Sequence, residues 1–240
     1  MKYSFKRQDM NNWKGRITES LTRCYIRDVL APKLEKEGWF KVLFLPSIPL
    51  LIPSRPIEEL SASKRDFYRD KYISLRTILL GKGIYPSQEF LEKCGRVNDF
   101  LKHLSDGILL KFRKTGEMKQ MRDLISEIGT GEWRYKWGNK FEESDEIRFS
   151  TKEVEETTEI PIVNGEIEVV EVKSDKGKLS KVQKEEYSNL VKNGYPLRLF
   201  HVSIVSFDKN HFEVKEKLLR TINEVKKGMR VDGIKTLMEN

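Results

Sequence analysis

A chain of 240 residues with 38% hydrophobic and 34% charged residues can bury a core and still present a charged surface. No apolar run approaches the roughly 20 residues of a membrane span: the most apolar stretch, 42–53, is broken by Pro46 and Pro49, and the residues after Met1 form no signal-peptide apolar region. Lys and Arg number 45 against 37 Asp and Glu, a formal charge of +8, which is the sign of a protein that meets phosphates.

Residues 15–30 repeat apolar side chains at 17, 21, 24, 25, 29 and 30, a helical spacing, with Glu19 beside that stripe. Cys24 falls in the stripe, so buried, reduced thiols in an intracellular, cytoplasmic setting are expected. Cys24 and Cys94 show no zinc-ligand spacing with His103, His201 or His211. The helix is expected to end near Glu37-Gly38, and 39–45 reads as the first strand. Pro46, Pro49, Pro53 and Pro56 then make a rigid extended passage. Helices follow at about 58–80 and 86–104, parted by Gly81 to Gly83. Residues 105–112 read as a strand with Asp106 at its mouth, the plain alternative being an Asp-Gly turn. Met118 to Ile128 looks helical. From 132 to 137, Trp133, Tyr135 and Trp137 alternate with Arg134 and Lys136, which suits the inner face of a hairpin or a surface that stacks on bases. Asp145 and Glu146 are alternative acidic ligands, in a run that also suits a solvated loop.

The richest segment is Glu166 to Ser174. Its valines favour a strand. Alternation puts Ile167, Val169, Glu171 and Lys173 on one face and turns Val170 and Val172 toward the other. A carboxylate and an ammonium share a face on an apolar strand, which suits a metal ligand beside a group that positions water; a solvated ion pair is the plain reading. Ser180 is a helix N-cap candidate. Val182, Tyr187, Leu190 and Val191 form an apolar stripe, Gly194 ends the helix, and 197–205 is a second apolar strand. Strand, helix and strand make a βαβ unit. Phosphate-loop, dinucleotide and serine-hydrolase motifs are absent.

Glu171, Lys173, Leu179, Ser180 and Gln183 resemble the C-terminal half of a PD-(D/E)XK nuclease core, notably the VRR-NUC, Holliday-junction-resolvase and archaeal viral branches. Asp106-Gly107 stands where that family has a nominal Pro-Asp, and Glu19 matches its acidic first helix. The resemblance implies an α/β, restriction-endonuclease-like core in one domain over 1–240: a mixed central sheet flanked by helices, with insertions at about 46–104 and 113–164. In compact members the Asp and Glu strands lie closer in sequence. It further implies a Mg²⁺- or Mn²⁺-dependent endo- or exodeoxyribonuclease, in a host's cytoplasm if viral. The resolvase-like branches extend this to branched DNA or recombination and replication intermediates and to a homodimer, while the DNA structure cut and the oligomeric state stay open. Asp106, Glu171, the Val172 carbonyl and Glu19 would hold the metal, Lys173 would orient water, and Gln183 would support Lys173 or the phosphate. Lys176, Lys178, Lys181 and Lys184 would meet DNA. The rival expectation is a non-catalytic nucleic-acid-binding protein that keeps the fold.

Overall fold

The computed structural model describes residues 7–46, 61, 75–100, 105–128, 158–174, 177–206, 211–228 and 235–237. In chain order these form helix α1 (Arg7–Tyr25), a π-helical turn (Ile26–Leu30), α2 (Ala31–Lys36) and strands β1 (Lys41–Pro46) and β2 (Tyr85–Pro86). Helix α3 (Gln88–Phe100), strand β3 (Gly107–Gln120), helix α4 (Met121–Ile128) and strand β4 (Glu159–Ser174) follow. The chain closes with α5 (Lys181–Lys192), β5 (Leu197–Ser206), β6 (His211–Leu219), α6 (Ile222–Lys227) and β7 (Lys235–Leu237). The result is a mixed sheet of order β1-β3-β4-β5-β6-β7, with β2 paired to β4, and helices flanking it. No helix among the described residues is long and apolar enough to cross a membrane.

Two compact units divide the chain. The first comprises 1–49, 96–112 and 166–240. Here β1 runs antiparallel to β3, β4 parallel to β5, and β5 antiparallel to β6. Asp106 bonds Val172 while Lys111 pairs with Glu168, so the facing positions descend on β4 as they rise on β3: these two strands are antiparallel. One face of the sheet, with Val42, Leu109, Val170, Phe200, Val202 and Val214, packs on Tyr25, Ile26, Leu30 and Leu34. Helix α5 lies on the opposite face, where Tyr187 reaches Glu171. Covered on both sides, β4 is buried continuously from Ile167 to Glu171.

The first helix departs from the apolar stripe in one respect. Cys24 is exposed, and the buried positions include Thr18 and Thr22 instead. Their hydroxyls donate to the carbonyls of Gly15 and Thr18, each at 2.8 Å, so threonine enters the core with its polar group already bonded. On α5, Val182 is likewise exposed at 55%, while Glu186, Tyr187, Leu190 and Val191 are buried.

The second unit comprises 50–95 and 113–165. Its described core is Leu80, Tyr85, Met121, Leu124, Ile160 and Ile162. Residues 75–80 are helical, and β2 runs parallel to β4 through Tyr85 and Ile162. The helix expected from Met118 begins only at Met121. Strand β3 continues to Gln120, because Thr115 donates to the Ile162 carbonyl at 3.1 Å and β4 extends far enough to keep pairing it. Tertiary pairing overrides a helical pattern of a few residues. The prolines at 49, 53 and 56, the aromatic strip 133–137 and Asp145 and Glu146 lie outside the described residues.

On the α1 face, β4 also carries a buried ion network. Glu168, 0% exposed, receives the Arg198 Nε–H at 2.6 Å and has the Lys111 ammonium 2.6 Å from its other oxygen. Arg198 reaches Glu216 at 3.3 Å and Lys111 reaches Glu166 at 2.8 Å. The Lys111 Nζ also sits 4.4 Å from the centre of the Trp39 ring. Burial alone would raise the pKa of Glu168, but Arg198 and Lys111 more than offset it and hold the carboxyl below its ordinary value.

Candidate functional site

On the α5 face, three residues further along β4, Glu171 is 4% exposed and ringed by donors. Lys173 Nζ lies 2.5 Å from its Oε1. Gln183 Nε2 donates to the same oxygen at 2.8 Å, and the Tyr187 hydroxyl donates to Oε2 at 2.5 Å. Strand alternation supplies Lys173. Helix spacing supplies the other two, because Gln183 and Tyr187 are four apart on one face of α5.

Local sequence fixes where α5 starts. Ser180 is extended and accepts from the Gln183 N–H at 3.1 Å, while Gln183 Oε1 accepts from the Ser180 N–H at 3.1 Å. That reciprocal capping box anchors the first turn, and Gln183's remaining amide hydrogens face Glu171. Gly177 brings the preceding loop back onto Lys173: a Cβ there would stand 3.0 Å from the Ser174 carbonyl oxygen and 3.4 Å from the Lys173 Cβ.

Asp106 enters from the start of β3, and its Oδ2 accepts from the Val172 N–H at 2.6 Å. Gly107 makes the approach feasible, since a Cβ there would meet the Phe44 ring at 2.4 Å. Burial and then the Glu171 charge push the Asp106 carboxyl up to about 7. The Val172 N–H and Lys173 pull the other way, whereas Glu19 on α1 adds to the rise. Asp106 thus feels both Glu171 and Glu19, with Lys173 as the nearby cation. Tyr187 is raised well above its ordinary range, by burial first and then by Glu171.

Of the residues singled out by sequence, Asp106, Glu171, Lys173 and Gln183 converge, with Glu19 felt electrostatically. Gln183 bonds Glu171 rather than Lys173. Val172 contributes its N–H to Asp106. Tyr187 falls in the apolar stripe of α5, and only its four-residue spacing from Gln183 hints at a second use. Lys178 and Lys181 are exposed, and Lys184 donates to the Lys226 carbonyl at 3.1 Å. Lys176 lies outside the described residues. With Lys192 and Lys226, Lys181 and Lys184 line a groove of about 450 Å³ between α5 and α6. Among the described residues no three His, Cys, Asp or Glu side chains form a group that could hold a metal. No protein-family model, curated protein or solved structure matches the chain.

Proposed function

We propose that the chain is a metal-dependent deoxyribonuclease built on a restriction-endonuclease-like core. The observation that carries this reading is the convergence at the mouth of β3 and β4, where Asp106 accepts from the Val172 N–H beside the Glu171–Lys173 pair, and where burial and Glu171 push the Asp106 carboxyl up to about 7. A buried and a half-buried carboxylate with one nearby lysine gain from a cation. The order helix, β1, β3, β4, helix, β5, with β4 and β5 parallel, agrees with such a core.

The donor chemistry fits a hard divalent ion. Asp106, Glu171 and the Val172 carbonyl would offer oxygen, and Glu19 would reach the ion through water, since Mg²⁺ or Mn²⁺ takes few protein oxygens and keeps several waters. When bound, the metal would supply acidified water and charge neutralisation at the phosphate. Lys173 orients the attacking water and stabilises the charge that develops on the phosphoryl oxygens. Gln183 and Tyr187 aim Glu171, and the basic lysines of α5 attract the DNA backbone.

A second reading has its own observation. Both oxygens of Glu171 already receive donors from Lys173, Gln183 and Tyr187, which suits a binding protein that retains the fold without cleaving. Incubation with Mg²⁺ or Mn²⁺ and supercoiled, linear, single-stranded and branched DNA separates the two. Cleavage of any substrate establishes the nuclease, and preference for the branched one its selectivity. Retarded migration without cleavage establishes the binder.

A further inference from the structure

The rung of the sheet that holds Lys173 continues beyond it. Lys173 is the direct partner of His201 on β5, and His201 is the direct partner of Lys215 on β6. Directly paired residues share a face, so Lys173, His201 and Lys215 form a row across three neighbouring strands. With strands about 4.7–4.9 Å apart, that row spans about 10 Å.

Burial shows why this rung differs from the one before it. On the same face of β5, Leu197 and Leu199 are buried. From His201 onward the face opens: His201 and Ser203 are half-buried and Val205 is exposed. Lys215 is half-buried as well. Lys217, one rung below and opposite Leu199, is engaged with Glu224 of α6, whose pKa it helps to lower. Glu213, opposite Ser203, stands one rung above and marks the outer limit of the cationic row.

We infer that His201 and Lys215 form a phosphate track that carries the DNA strand away from the scissile phosphate, across β5 and β6. This rests on the nuclease reading of the neighbouring site. The row offers donors and positive charge at the first open rung beside Lys173. It therefore recognises backbone and not sequence.

The test measures affinity of the full chain for a labelled duplex oligonucleotide across a salt series, in EDTA so that no turnover interferes. Lys215→Gln should lower the slope of log affinity against log salt by about 0.9, the contribution of one duplex phosphate contact. Lys215→Arg, which keeps the charge, should restore it. Lys33→Gln on α2, which packs on the opposite face, should leave the slope unchanged. An unchanged slope in Lys215→Gln overturns the track, and wild-type cleavage of DNA would then leave the nuclease reading standing. An equal fall in Lys33→Gln would reduce the effect to net charge, and loss in Lys215→Arg to a structural role; either overturns the track. If the wild type binds no DNA in EDTA, the track fails, and cleavage with Mg²⁺ decides the reading beneath it.

Discussion

Glu168 and Glu171 stand three residues apart on β4, face opposite sides of the sheet, and sit in opposite kinds of charge environment. Around Glu168, two cations and three carboxylates interlock, and the buried acid titrates below its ordinary value despite burial. Around Glu171 the neighbouring Asp106 adds negative charge against one lysine, and Asp106 is driven up to about 7 by burial and by Glu171. Burial is common to both faces, so it is not what separates them. Compensation is. Glu168 has a cation against each of its oxygens, whereas Glu171 and Asp106 share a single lysine, and strongly perturbed titration concentrates at functional sites.

The sharpest way to break this comparison is to remove one acid from each side. Glu171→Ala should reduce DNA cleavage by about 10²–10³-fold or more while DNA affinity stays within a few-fold of wild type. Cleavage at wild-type rate in a folded variant would remove Glu171 from the chemistry. Glu168→Ala should instead cost about 3–5 kcal/mol in urea unfolding, because Lys111 and Arg198 lose their shared buried partner. The cost should fall toward the lower end, since Glu166 and Glu216 remain.

Asp106 sharpens the contrast through pH. Its folded pKa of about 7 lies above the unfolded value of 3.8, so the native state binds more protons between them. Its contribution is therefore fully present below about pH 4 and is lost as pH rises through 7, with an upper bound of about 4 kcal/mol. Asp106→Asn should be more stable than wild type at pH 8 without metal, yet unable to cleave. Mg²⁺ should raise the melting temperature of wild type and have less effect on the variant. A flat difference in stability between pH 4 and pH 8 would show that Asp106 ionises normally. Smallest of all, Ser180→Ala removes one half of the capping box and should cost about 1 kcal/mol, measured by thermal unfolding.

Much of this arrangement was legible in the chain because strand and cap signals are local. Val169 to Lys173 alternate over a short span, and Ser180 stands as a cap directly before the helix it starts. What escaped depended on partners distant in sequence. Met118 looks helical until β4 is present to extend β3 past it. Thr18 and Thr22 look polar, yet each hydroxyl is satisfied within its own helix, and the core accepts them in place of Cys24. Tyr187 carries one label in an apolar stripe and needs the fold to reveal that its hydroxyl faces a carboxylate. Glu168 was hidden among the many charges of the sequence, since only the sheet brings Lys111 and Arg198 to it.

Gln183 spends its two ends on different tasks, its oxygen on the backbone of Ser180 and its nitrogen on Glu171. The aim of a buried carboxylate is therefore tied to the fraying of a helix end. Each time the first turn of α5 opens, the amide can rotate and Glu171 loses one of its guides. Amide hydrogen exchange in that turn and the steadiness of Glu171 should rise and fall together, with Lys173 and Tyr187 left to hold the carboxylate while the turn is open.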